Sequence, residues 1–144
     1  MKKYILFSGL AFVLFSCGQD KDKVTKVEAE VMTIHDDVMP RMDDIMTLKS
    51  KLSKKIVHLD SLQNEGISGN TLAEERMKAV DLNQKLNESD KLMMDWMHSY
   101  RGDSAKKLKP EQAILYFESE KEKIEKVKQI AVKSINDAKI FLER

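Results

Sequence analysis

The sequence predicts an all-α fold: an antiparallel up-down-up three-helix bundle with a long, proline-kinked first helix, after a cleaved signal peptide. The 144 residues include only five glycines and two prolines, and 34% are charged, a composition typical of long helices. Apolar residues recur at every seventh position over long stretches, which indicates helices packed against one another. Short polar loops separate three such stretches, and short loops favour antiparallel neighbours.

The first sixteen residues are predicted to be a lipoprotein signal peptide. Lys2 and Lys3 form the positively charged n-region of a signal peptide. Residues 4–15 are an apolar run too short for a stable transmembrane anchor. Residues 14–18, LFSCG, resemble the lipobox of bacterial lipoproteins. The alternative is an ordinary cleaved signal with an incidental cysteine. As Cys17 is the single cysteine, disulfides are excluded and packing must hold the fold together.

The lipobox resemblance implies that Cys17 is acylated and becomes the first residue of the mature chain. More than one acyl chain anchors a protein stably, since each buried methylene contributes roughly 0.8 kcal/mol. Residues 17–22 are then the acylated cysteine and a solvated tether, and residues 23–144 are the bundle. We expect a cell-envelope protein anchored to a membrane, with the outer membrane favoured over the inner. Both the surface and the periplasmic face of that membrane stay open.

The first helix is predicted over about residues 23–62. Six apolar residues follow one another at intervals of seven: Val24, Val31, Val38, Ile45, Leu52 and Leu59. Pro40 falls inside this run, where a proline costs about 3 kcal/mol or more in a straight helix. Because the apolar phase continues across Pro40, we expect a kink within one helix rather than a break.

The second and third helices are predicted over about residues 71–100 and 110–143. Gly66 suits a left-handed helix cap, and Thr71 with Glu74 matches a capping box. Pro110 suits the first position of the last helix. Charges of both signs alternate over residues 118–128 at helical pairing distance, and this pattern supports the helix.

Folding these hairpins brings distant methionines together with aromatic residues. Closing the first loop places Leu62 beside Leu72, and Met39 then lies level with Asp95. Pairing Tyr100 with Pro110 closes the second loop. Eleven side chains are expected at one end of the bundle: His35, Met39, Met42, Met93, Met94, Trp96, Met97, His98, Tyr100, Tyr116 and Phe117.

This cluster has three interpretations. Thioethers and imidazoles suit Cu(I), so a copper site would draw on His35, Met39, Met42, Met93, Met97 and His98. The favoured interpretation is a structural plug in which methionine sulfur packs against aromatic rings. A methionine-rich groove for a partner protein is the third. Four acidic residues on an outer face, Asp36, Asp37, Asp43 and Asp44, are expected to be solvated.

Other sequence features bear on partners. Val24, Val27 and Val31 lie below the level that the second loop is predicted to reach. We therefore expect them to pair with another copy of the chain, with a helical protein partner such as a second lipoprotein, or with the membrane surface. Without Lys2 and Lys3 the chain has 23 basic and 24 acidic residues. This near-neutral charge does not favour binding to nucleic acid. Residues 103–105, DSA, resemble a short O-glycosylation sequon of Bacteroidota, with Ser104 as the acceptor.

Residues 34–52, IHDDVMPRMDDIMTLKSKL, and residues 93–98, MMDWMH, resemble small helical envelope lipoproteins of the Bacteroidota type. Those proteins are often labelled "viral A-type inclusion protein". The resemblance implies location and helical form, and it implies no activity. No GxSxG, HExxH, CxxC or P-loop motif occurs in the sequence. We therefore expect a non-enzymatic, lipid-anchored structural or protein-interaction module without a cofactor. The alternative is a periplasmic or surface copper-binding protein.

Overall fold

Four helices build the three arms of an antiparallel bundle, and a fifth, short helix lies in the connection between the second and third arms. The computed structural model describes residues 19–67 and 69–143, so the predicted signal peptide and Cys17 lie outside the described residues. In chain order the helices are α1 (Gln19–Val38), α2 (Arg41–Asn64), α3 (Asn70–Ser99), α4 (Gly102–Ala105) and α5 (Pro110–Leu142). α1 and α2 together form the first arm, α3 the second and α5 the third. The described residues contain no strand, and the all-α prediction is confirmed.

Pro40 interrupts the first arm without changing its apolar phase. α1 ends at Val38 and α2 begins at Arg41, although Pro40 itself has helical backbone angles (φ −62°, ψ −24°). The Met42 N–H donates to the Met39 carbonyl at 3.1 Å across a short turn. The prediction was a kink inside one continuous helix, and the structure instead has a two-residue turn between two helices. Proline has no N–H with which to continue the hydrogen-bond ladder.

The predicted heptad positions form the core. Val31, Val38, Ile45, Leu52 and Leu59 are buried, and Val24 is half-buried against them. The second and third arms contribute further buried side chains, among them Ala79, Leu82, Leu86, Met93, Phe117, Ile124 and Ile135. Fully burying one such aliphatic or aromatic side chain contributes about 1.5–3 kcal/mol, so this apolar seam is the main source of stability.

The first connection ends α2 as predicted but begins α3 differently. Gly66 has a φ of +84°, the left-handed conformation that favours glycine. The N–H groups of Gly66 and Ile67 donate to the carbonyls of Gln63 and Leu62, which makes a Schellman cap. The predicted capping box at Thr71 does not form, because α3 starts one residue earlier, at Asn70, with Gly69 as its cap.

The register of α5 corrects the second predicted hairpin. Three lysines of α5 pair with acids of the first arm: Lys121 with Glu30 at 2.5 Å, Lys128 with Asp37 at 2.7 Å and Lys139 with Asp44 at 2.8 Å. α5 therefore runs parallel to the first arm. The buried hydroxyls of Ser89 and Ser134, 2.8 Å apart, set α5 against α3. From that contact Pro110 lies about 20 Å beyond the end of α3, not level with Tyr100.

This register covers the valines that were predicted to lack an internal partner. Val27 and Val31 are buried, and α1 packs along the first half of α5. The prediction of an uncovered seam was wrong because the chain descends through α4 before α5 begins. Self-association through Val24, Val27 and Val31 thereby loses its basis.

The four acidic residues of the outer face are exposed, as predicted, and two of them also form ion pairs with α5. Asp37 pairs with Lys128 and Asp44 pairs with Lys139, so these surface contacts link the first arm to α5. The Lys128 ammonium, followed by the Arg41 guanidinium, lowers the pKa of the Asp37 carboxyl.

Part of the predicted solvated tether is helical, since residues 19–22 belong to α1. Within residues 19–67 and 69–143, no helix combines the length and the apolar character needed to cross a membrane.

Candidate functional site

The first arm and α3 meet at the predicted height. The His35 and Trp96 rings lie 5.7 Å apart between centroids, and Lys49 Nζ lies 2.9 Å from Asp90 Oδ2 further along the same pair of helices. The His35–Trp96 contact marks one end of this pairing, and the Lys49–Asp90 contact lies nearer its middle. Residues 34–46 therefore meet residues 92–100, as predicted. The meeting point is not at the end of the bundle, however, because α1 and α5 extend about 20 Å beyond the end of α3.

An aromatic series continues from Trp96 toward α5. The Trp96 and Tyr100 rings lie 5.0 Å apart, and the Tyr100 and Tyr116 rings lie 6.3 Å apart. Tyr116 contacts Phe117 edge to face at 5.3 Å. Such offset and edge contacts each contribute about 0.5–1.5 kcal/mol beyond the area they bury. The predicted cluster of aromatic rings exists, although α5 lies about 20 Å from its predicted position along the bundle axis.

Five methionines follow the seam between the first arm and α3, and we name them the methionine strip: Met39, Met42, Met46, Met94 and Met97. Met42 precedes Lys49 by seven residues and Met97 follows Asp90 by seven, so both continue the line of the Lys49–Asp90 contact. Both are half-buried against the core.

The remaining three members of the methionine strip flank that line on its solvent side. Met39 is 37% exposed, Met46 59% and Met94 43%. Each lies three residues from a methionine or lysine of the seam, the spacing at which helix neighbours touch. The strip thus combines three exposed methionines with two half-buried ones along the same seam.

The six predicted copper ligands do not surround one point. Met93 is fully buried in the core, whereas His98 is exposed, and five residues of helix turn these side chains about 140° apart. His35 stacks on Trp96, and its Nδ1 lies 2.9 Å from Asp36 Oδ1. In the described part of the chain, no three His, Cys, Asp or Glu side chains cluster in a way that suits a metal ion.

Several polar contacts hold the second connection, which is the segment between α3 and α5. The sequence predicted no such contacts there. The Arg101 N–H donates to the Tyr116 hydroxyl at 2.6 Å, and the Arg101 guanidinium donates to the His98 carbonyl at the end of α3. Burial, and then the Glu28 carboxylate, raises the pKa of Tyr100 to about 12. Gly102 passes so close to the Tyr100 ring that a Cβ there would lie 2.7 Å from the hydroxyl oxygen. These contacts fix the start of the connection.

Two more buried polar groups were missed by sequence reasoning. Glu120 is buried and accepts a hydrogen bond from Lys123 Nζ at 2.7 Å. The second is the buried pair of Ser89 and Ser134, whose hydroxyl oxygens lie 2.8 Å apart and join α3 to α5. Ser89 lies three residues after the buried Leu86, on the same face of α3, and this spacing was the available signal. Ser104 is exposed and lies in α4 rather than in a loop.

Comparison with known proteins finds no matching family model, no similar curated protein and no similar solved structure.

Proposed function

We propose that the protein is a non-enzymatic, lipid-anchored envelope protein that binds a helical protein partner through the methionine strip. The observation that carries this proposal is the row of exposed methionines, Met39, Met46 and Met94, beside the half-buried Met42 and Met97 along one seam of the bundle. A contiguous exposed apolar surface marks an interaction site more often than scattered apolar residues do.

The chemistry of the strip suits a helix. Methionine is unbranched and polarisable, so a row of methionines adapts to apolar side chains of different shapes. Two antiparallel helices form a shallow groove between them, and an amphipathic helix can place its apolar face in such a groove. The half-buried Met42 and Met97 would form the groove floor, and the exposed methionines its edges.

The anchoring part of the proposal rests on Cys17 and the preceding apolar run. Acylation at Cys17 would hold the bundle at a membrane by its first helix. A bundle held at a membrane and carrying an adaptable surface is suited to recruiting or positioning another protein.

Site-specific photocrosslinking in intact cells tests the interaction. A photoreactive amino acid at Met46 is expected to form a discrete covalent adduct with one protein. The matched control is Val57, which lies on the same helix, is similarly exposed and stands outside the strip. The same adducts from both positions, or none from Met46, would contradict the proposal.

A soft-metal function is the second candidate, and one observation favours it. The exposed Met94, rather than the buried Met93, lies level with Met39 across the seam, and Met97 and His35 are within about two turns of both. Thioethers and one imidazole suit Cu(I). Titration with Cu(I) against a competing chelator tests it. Binding no tighter than that of the chelator, or unchanged after Met39→Leu with Met97→Leu, would dismiss a copper site.

A further inference from the structure

The first turn of α1 is the part of the bundle nearest to Cys17. α1 begins two residues after Cys17, and two fully extended residues span at most about 7 Å. If Cys17 carries the acyl chains, as the proposed function holds, the first turn of α1 lies close to the lipid headgroups. The residues at the same height as Gln19 then lie there too.

The second connection is at this height. Lys121 pairs with Glu30, and both Pro110 and Gln19 precede that pair by eleven residues. α1 and α5 are parallel, so their first residues are level. The segment that leads from α4 into α5, residues 106–109, therefore lies at the anchored end of the bundle.

The tip of this segment combines one apolar side chain with two cations. Leu108 is 49% exposed between Lys107 and Lys109, which are also exposed. Neither of these two lysines forms an ion pair within the described residues. Lys106 differs, because its ammonium lies 2.9 Å from Glu28 and 3.1 Å from Asp103. Lys107 and Lys109 are the cations that remain available.

The tip is held rather than loose. Ala105 is buried directly before it, and the Leu108 N–H donates to the Ala105 carbonyl at 3.0 Å. The Lys106 pair with Glu28 ties the segment to α1. Pro110 follows as the first residue of α5 and has a restricted backbone. A short, fixed projection thus presents Leu108 with a lysine on each side.

We infer that Lys107, Leu108 and Lys109 form a membrane-contact tip that inserts Leu108 among lipid headgroups while the two ammonium groups meet lipid phosphates. A leucine between cations suits the interface, where apolar side chains enter the acyl boundary and cations stay among the headgroups. Each lysine near an anionic surface strengthens attachment about fivefold. The inference rests on the proposed lipid anchor, and it adds a second contact that orients the bundle upright.

The first loop supplies a matched control at the opposite end. Ile67 is 53% exposed, close to the exposure of Leu108, and follows α2 at the far end of the first arm. Cys17 is the only cysteine in the chain. In the acylated protein, a cysteine introduced by Leu108→Cys or Ile67→Cys is therefore a unique free thiol for a fluorophore.

The experiment reconstitutes each labelled, acylated protein in vesicles of phosphatidylethanolamine and phosphatidylglycerol that contain a nitroxide-bearing lipid. The label at position 108 is expected to be quenched at least about threefold more strongly than the label at position 67, since only the former would lie in the interface. Lys107→Gln with Lys109→Gln is expected to reduce this quenching, as is replacing phosphatidylglycerol by a neutral lipid.

Two failures are distinguishable. Protein that does not float with the vesicles overturns the lipid anchor, and this inference falls with it. Protein that floats, but whose two labels are quenched equally, overturns the membrane-contact tip alone. A circular dichroism spectrum of each variant shows whether the bundle is intact.

Discussion

The imidazole of His35 and the indole of Trp96 lie 5.7 Å apart between ring centroids, where the last full turn of α1 meets the end of α3. Trp96 is buried and is the only tryptophan in the chain. His35 lies near the end of α1, just before Pro40, and Trp96 begins the aromatic series that leads to α5. Through the rings of Trp96, Tyr100 and Tyr116 this contact links all three arms.

Replacing Trp96 by alanine is expected to lower the free energy of unfolding by about 3–5 kcal/mol, the usual cost of removing a buried aromatic ring. Urea unfolding followed by circular dichroism measures the change. Leu115→Ala is the control, because Leu115 is exposed, and it is expected to stay within about 0.5 kcal/mol of the parent. Equal losses in the two variants would contradict the placement of Trp96.

Gly66 and Gly69 are expected to respond differently to alanine. Gly66 has a φ of +84°, and a Cβ in this conformation costs roughly 1–2 kcal/mol. Gly69 has an extended backbone (φ −176°, ψ 152°) that any residue adopts, and a Cβ there would meet nothing within 4 Å. Thermal unfolding should show a lower midpoint for Gly66→Ala and little change for Gly69→Ala. A loss at Gly69 as large as that at Gly66 would refute this account of the loop.

Ser89 and Ser134 form a buried hydroxyl pair, and their loss should not be additive. Either hydroxyl alone can still donate to its own helix, since each contacts a carbonyl of the preceding turn. A single serine-to-alanine change is expected to cost about 1 kcal/mol, and the double change little more. A double-mutant cycle in urea measures the coupling. Strict additivity would indicate that the two hydroxyls do not interact.

The protein is expected to lose stability at alkaline pH because of Tyr100. Its pKa is raised by burial to about 12, above the unfolded value of about 10. The stabilisation is present below the unfolded pKa and is lost as pH rises toward the folded pKa, because the buried phenol must ionise. Ultraviolet titration should show a phenolate transition near pH 12 that Tyr100→Phe removes. The variant should also lose less stability above pH 10 than the parent does.

The heptad pattern alone predicted most of the core and the pairing of the first two arms. Val31, Val38 and Ile45 are buried as predicted, since a seven-residue period decides which face of a helix is apolar. The short loop around Gly66 left only one height at which α2 and α3 could meet. The meeting of His35 with Trp96 followed from these two local facts.

Only the tertiary structure decided the height of α5 and the division of the methionines. Periodicity defines a face, but it leaves the position along the helix axis free when the connection is long. The chain between Tyr100 and Pro110 descends through α4, which moves α5 by about 20 Å, buries Val31 and pairs Lys121 with Glu30. The burial of Met93 and the exposure of Met94 likewise depend on where the neighbouring arms pack.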